Sequence, residues 1–189
     1  PADQGSVAVM MSLATSDVQQ AARRLFDLAR MELRRRDGGG DRATLTPEAA
    51  ERLSGAGVAV REALDLLAGH IRAHQGARAD PSEDLAAISA RAAALSADVK
   101  LLLAADDPAF VHFIEARGRG VSLRAAPIDV AGIVRDFVLA GRDATVLTSA
   151  TLTVDASFDC VVGRVGVEGA EAVRLRCEFD FATQAVLYL

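Results

Sequence analysis

The hydrophobic positions along this chain change period near Asp106-Asp107-Pro108. Before that point apolar residues recur three and four apart, the spacing of a helix face; after it they mostly alternate, as on strands. The first half predicts three long helices. The first runs from Ser6 or Ser16 to Arg36, carries Val18, Ala21, Leu25 and Leu28 on one face, and stops at Asp37-Gly38-Gly39-Gly40. The second opens with Thr46 as N-cap and Pro47 in the first turn, where a missing N–H is harmless. Its apolar face is Leu53, Gly57, Val60, Leu64, Leu67 and Ile71. The third opens at Asp80-Pro81 and carries Leu85, Ile88, Ala92, Leu95, Val99 and Leu102. Both faces have the four-three spacing of a coiled-coil-like seam, and the short polar link from Gln75 to Asp80 makes the two helices antiparallel neighbours. Gly55, Gly57 and Gly69 each weaken the second helix by about 1 kcal/mol relative to alanine. Gly57 lies on the seam, where it permits close approach of a neighbour. Gly55 and Gly69 do not, and leave a kink or break open at those positions.

The second half predicts strands with two short helices. Phe110 to Glu115 is a nearly continuous apolar run, read as a strand covered on both faces. Arg117-Gly118-Arg119-Gly120 makes a tight hairpin turn, and Val121, Leu123 and Ala125 alternate with Ser122 and Arg124 until Pro127. Asp129 caps a short helix with the apolar stripe Val130, Ile133, Val134, Phe137 and Val138, stopped by Gly141. Thr145 to Ser149 reads as the next strand. Asp155 caps another short helix (Phe158, Val161, Val162, Val165) that Gly166 ends. From Val173 to Phe181 apolar residues alternate with Arg174, Arg176, Glu178 and Asp180, the period of a strand with one wet face. The last residues, "AVLYL", give the appearance of a cut through a longer protein.

Composition narrows the class. Of 189 residues, 51% are apolar and 25% charged, which suits one domain or two small ones and excludes a disordered chain. No apolar run is long enough to cross a bilayer and no basic flank precedes an apolar segment at the N-terminus, so a soluble cytoplasmic protein with no membrane partner is expected. The net charge of −5 argues against a surface that grips nucleic acid everywhere, though not against a local basic groove. Cys160 and Cys177 lie in no C-x-x-C unit, so neither zinc nor iron–sulfur binding follows from them, and free thiols are expected.

Several residues raise a chemical question. Thr148, Ser149, Ala150 and Thr151 place small hydroxyls where a strand should end. Their simplest reading is a strand exit followed by a capping hydroxyl. Ser149 is a weak candidate nucleophile, because the G-x-S-x-G elbow is absent. His70 and His74 have metal-ligand spacing without a third ligand or an adjacent Glu, and read as solvated residues near a helix C-terminus. His112, in an apolar run, reads as a satisfied core histidine. The glycines of "DGGGD" and "RGRG" are turns, since no Lys-Ser/Thr follows them and the second opens no helix. Arg30, Arg34, Arg35 and Arg36 make the end of the first helix basic. That suits the helix dipole, and it also suits a groove that follows phosphates, with Glu32, Asp37 and Asp41 diluting the charge.

In order, Ala126-Pro127-Ile128-Asp129-Val130, Thr148 to Leu152, Ser157-Phe158, and Phe179-Asp180 with Gln184-Ala185 resemble the DinG/XPD-like family of superfamily 2 DNA helicases. The likeness covers about the last eighty residues. It implies an α+β chain: an antiparallel bundle of three long helices, residues 1–107, matching the family's Arch insertion, then an incomplete RecA-like α/β portion, residues 108–189. It also implies that Thr148, Ser149 and Thr151 form motif III, which couples nucleotide state to strand separation and supplies no nucleophile. Small hydroxyls suit that role, since they donate and accept without filling a cleft. The phosphate loop, the D-E-A-H motif, the four cluster cysteines and the second motor domain are missing from these residues. No cofactor is therefore expected in this chain and no ATPase activity; a parent protein would hold ATP and magnesium, with an iron–sulfur cluster left open, and would move on single-stranded DNA. Open strand edges would allow self-association. The alternative is a non-catalytic helical protein-interaction domain with a small β appendage; a serine hydrolase using Ser149 is weaker still.

Overall fold

Thr46-Pro47 starts a helix where the sequence predicts one, and the larger part of the molecule is built around that helix. The computed structural model describes residues 4–36, 40–76, 81–175 and 181–186. Helix α1 is Gln4–Arg36 and α2 is Pro47–Gly76, with a three-residue strand β1, Arg42–Thr44, between them. In α2 the Ala50 N–H donates to the Thr46 carbonyl at 2.9 Å, closing the first turn. Leu53, Gly57, Val60, Leu64 and Ile71 are buried, as the four-three pattern requires, and Ala49, Ala50, Ala56 and Ala68 are buried beside them. Gly55 and Gly69 do not interrupt the helix. α1 buries Ala14, Leu25, Ala29 and Leu33 against this core, with Val18, Ala21 and Leu28 packed at its margin. Leu25, Leu53 and Ile71 are the largest fully buried side chains; each contributes about 1.5–3 kcal/mol by leaving water.

α3 is Glu83–Leu103. It starts after Ser82, not at Asp80-Pro81. The Ser82 Oγ accepts from the Leu85 N–H at 3.5 Å. Gln75 closes the link from α2, accepting from the Ser82 N–H at 2.9 Å while its amide donates to the Ser82 carbonyl. The predicted seam of α3 holds at Ala92, which is buried, and at Val99, which packs against the core, and is shifted by one position at Ile88 and Leu95. Ser89, Ala92 and Ser96 are buried, and Ile88 and Leu95 are exposed. Small side chains let α2 and α3 approach closely: Ser89 Oγ donates to the Ala68 carbonyl at 3.3 Å, and Leu103 packs against bare Gly57. Large residues at 88 and 95 would hold the helices apart.

A three-stranded antiparallel sheet in the order β1-β2-β3 completes this unit, with β2 Phe110–Arg117 and β3 Gly120–Pro127. Arg117 pairs with Gly120, leaving Gly118 and Arg119 as the turn, and Gly118 supplies the positive φ of 57° that the turn needs. His112, Phe113 and Ile114 are all buried. His112 and Ile114 share one face; the His112 Nε2 lies 3.1 Å from the Leu101 carbonyl, and Ile114 joins the helical core. Phe113 faces the other way and is covered by the Arg42 guanidinium, 3.6 Å from the ring centroid. On the second face of this strand a cation thus lies over an aromatic ring. The fold class is α+β.

The chain divides into two compact units, residues 1–128 and 129–189. The change of hydrophobic period at 106–108 lies inside the first, because the β2–β3 hairpin packs on α1 and α3. In the second unit α4, Ala131–Val134, continues into a π-helical turn, Arg135–Leu139, and α5 is Asp159–Val165. Asp129 Oδ1 accepts from the Ala131 N–H at 2.9 Å, one residue ahead of Val130, whose carbonyl opens the helix and which occupies the N-cap position. α5 starts four residues after the predicted cap Asp155; Ser157 Oγ instead accepts from the Asp159 N–H at 3.0 Å. Asp155 and Ala156 both take positive φ in the tight turn that bridges Val154 and Ser157. Gly166 ends α5 at φ 71°, and a Cβ there would come within 2.8 Å of the Ala131 carbonyl, so it serves both as cap and as close contact. Thr145–Ser149 is irregular and exposed, not a strand, and so is the start of the Val173–Phe181 alternation, Val173–Leu175. Residues 176–180 lie outside the described ones, and Phe181–Gln184 is a short helix, α6.

Candidate functional site

Two places hold the residues that the sequence singles out. One is the hydroxyl bend of the second unit. Ser149 Oγ accepts from the Thr151 N–H at 3.2 Å and lies 3.3 Å from Thr151 Oγ1. This is the local turn that a serine makes two residues ahead of itself, and it fixes the direction of the bend without a glycine. Thr148, Ser149 and Thr151 are all exposed. On the flanks of the bend, Val146, Leu147 and Leu152 line a hollow of about 500 Å³ with Phe158, Val161 and Val173. The bend therefore joins polar donors and acceptors to an apolar recess. All three histidines of the chain, His70, His74 and His112, belong to the first unit, and His112 is already engaged with Leu101.

The other place is the end of α1. There the structure separates the four arginines named from sequence. Arg35 is drawn to Glu32 at 3.5 Å. Glu32 is buried, and it receives a two-pronged contact from Arg52: Nε to Oε1 at 2.9 Å and Nη2 to Oε2 at 2.7 Å. That hydrogen bonding holds the Arg52 guanidinium above its ordinary pKa. Arg30 donates to the Arg119 carbonyl at 2.8 Å, pinning the hairpin turn to α1. Arg34 is exposed and makes no ion pair among the described residues. The side chain of Arg36 lies outside the described residues. Arg52 and Arg119 are the additions: sequence reasoning does not name Arg52, and places Arg119 only in the hairpin turn. Arg119 is 89 positions from Arg30, and no local pattern joins residues so distant.

Among the described residues there is no group of three or more His, Cys, Asp or Glu that could hold a metal ion. Cys160 is exposed and free, and Cys177 lies outside the described residues. No described helix is long and apolar enough to cross a membrane.

Comparison with known proteins gives partial matches. The ATP-dependent DNA helicase YoaA of Escherichia coli is 29% identical over 89 residues, 47% of this chain and 14% of YoaA. The 3′-5′ exonuclease DinG of Bacillus subtilis is 34% identical over 86 residues, 44% of this chain and 9% of DinG. These matches support a relationship to DinG/YoaA-type helicases. The chain spans about a seventh or less of the length of either relative. No family model and no solved structure matches it.

Proposed function

We propose that this chain is part of a DinG/YoaA-like ATP-dependent DNA helicase, comprising an Arch-like helical insertion and the motif III portion of a RecA-like motor domain. In this reading Thr148, Ser149 and Thr151 relay nucleotide state to strand separation. The helical unit forms one wall of the path of single-stranded DNA. ATP and magnesium are bound by residues of the parent protein outside these 189.

The observation that carries the reading is the state of the second unit. Among its described residues only Gly166 is buried, while Ile133, Phe137, Val138, Val146, Leu147 and Leu175 are exposed, Phe137 at 82% and Val146 at 83%. A segment with so much exposed apolar surface lacks a core of its own and is built to be covered. The cover expected from the relationship is the remainder of a motor domain, against which Thr145–Ser149 would gain strand partners. A pre-formed Ser149–Thr151 turn agrees with a relay, because its hydroxyls are oriented and still accessible.

Phosphate release from ATP by the purified chain, with and without single-stranded DNA, tests this. The expected result is no turnover. Robust turnover abolished by Ser149→Ala would overturn the assignment. The coding sequence upstream is expected to contain G-K-[ST] and D-E-A-H.

A further inference from the structure

The turns of α1 before Arg36 face the β2–β3 turn across a hollow of about 290 Å³, lined by Arg30, Arg34, Asp41, Gly118, Gly120 and Val121 among others. Charge around it is unevenly matched. Arg35 and Arg52 are held by Glu32, with Glu48 also near Arg52, and Arg117 (3.3 Å) and Arg124 (3.1 Å) are held by Glu115; none of these four arginines lines the hollow. Arg30 reaches Asp27 only at 4.0 Å, on an exposed part of the helix. Arg34 and Arg119 have no acidic partner among the described residues. Among the described residues Asp41 is the one acidic residue in the lining. Among the described residues the lining thus holds two arginines, Arg30 and Arg34, against one carboxylate, and Arg119 sits on the turn between the two lining glycines, in a chain whose net charge is −5.

The shape suits a compact anion. Gly118 and Gly120 remove side chains from the hairpin turn, so a ligand can approach the backbone there, and nothing lies within 4 Å of where a Gly118 Cβ would stand. Arg30 spends a donor on the Arg119 carbonyl and so holds the turn in place. Arg34 and Arg119 spend no side-chain donor on any of the described residues. Planar, weakly hydrated guanidinium groups flanking a recess are well matched to tetrahedral oxyanions.

We propose that this hollow binds a phosphate group, with Arg34 as the ligating side chain of its lining, Arg119 reaching in from the turn between Gly118 and Gly120, and Arg30 as the residue that positions the turn. A backbone phosphate of single-stranded DNA is the source that follows from the helicase reading, on which that assignment of source rests. A free phosphate compound would present the same chemistry.

The test uses the whole chain with Arg34→Glu and Arg119→Glu combined. Both side chains are exposed, so the fold is expected to survive, with circular dichroism as the check. Arg72→Glu with Arg91→Glu, exposed on α2 and α3, changes the net charge equally and serves as the control. Binding of a labelled oligothymidylate is followed by anisotropy at about 50 mM salt, and binding of pyrophosphate by calorimetry. The expected result is that the first pair lowers oligothymidylate affinity about tenfold or more and the control changes it little. The slope of log affinity against log salt should fall by about 0.7 per lost phosphate contact. If the wild-type chain ignores the oligonucleotide but binds pyrophosphate, and the first pair abolishes that, the phosphate site stands and the DNA source fails. Equal oligonucleotide binding by wild type and the first pair overturns the site and leaves the helicase reading intact. Binding of neither ligand overturns the site.

Discussion

Gly55 and Gly57 lie two residues apart in α2, and replacing each by alanine separates helix propensity from helix packing. Nothing lies within 4 Å of where a Gly55 Cβ would stand, so Gly55→Ala should stabilise by about 0.5–1 kcal/mol, the ordinary difference between the two residues in a helix. A Cβ at Gly57 would overlap the Leu103 Cδ1, while Leu103 Cγ at 3.6 Å and Val99 Cγ1 at 3.7 Å would be ordinary neighbours. The clash is therefore confined to one methyl group. Leu103 must change rotamer or α3 must move, at about 1–3 kcal/mol for overpacking. The same propensity gain offsets about 1 kcal/mol of that. Gly57→Ala should be neutral to about 2 kcal/mol destabilising. Leu103→Ala removes the obstructing methyl. In that background Gly57→Ala should stabilise as Gly55→Ala does, giving a coupling of about 1–3 kcal/mol. Urea unfolding followed by circular dichroism at the helical band measures all four variants. If Gly57→Ala stabilises as much as Gly55→Ala with Leu103 intact, and Leu103→Ala changes nothing, the close approach of α2 and α3 is wrong.

Gly166→Ala and Ala156→Gly should act in opposite directions. The first forces a side chain into the left-handed region and against the Ala131 carbonyl, costing about 1–2 kcal/mol from backbone strain alone; the second relieves strain of about that size at φ 66°. Hydrogen exchange of the α5 amides should quicken in the first and slow in the second, and a shared direction would contradict the geometry. Glu32→Gln should lower the melting temperature, and the loss should persist in about 1 M salt because the carboxylate is buried, whereas Arg35→Ala should have little effect under either condition. A loss from Glu32→Gln that vanishes in salt would show the pair to be a surface contact.

How much of this was legible in the sequence depended on how local the determining interactions are. Thr46-Pro47 and the face Leu53, Val60, Leu64 and Ile71 were readable, because capping and four-three spacing act within one helix. The hairpin at Gly118 was readable for the same reason. In α3 the helix, Ala92 and Val99 are legible, but an alanine-rich helix offers two seams, and at Ile88 and Leu95 the pattern favours bulk where packing requires the small residues Ser89 and Ser96. β1 left no signal, since three residues show no period; pairing with Phe113, Ile114 and Glu115 of β2 makes it a strand. Thr145–Ser149 has strand-like residues but no strand, because pairing depends on a neighbour and not on the segment itself. Of the site, the hydroxyl bend and the arginines of α1 were named from sequence. The division of those arginines between Glu32, Arg119 and the open hollow was not, since it depends on residues brought together across α1, α2 and the hairpin.

The Gln75 clasp on Ser82 has a consequence for the order in which parts of the chain can assemble. It closes a loop of a few residues, so α2 and α3 can meet at small entropic cost. The pairing of Thr44 with Phe113 must instead close a loop of about seventy residues. That difference amounts to about 2 kcal/mol if the intervening chain is loose, and much less once α2 and α3 have already brought its ends together. The side chain of one glutamine thereby lowers the entropic barrier to forming a sheet in which it takes no part.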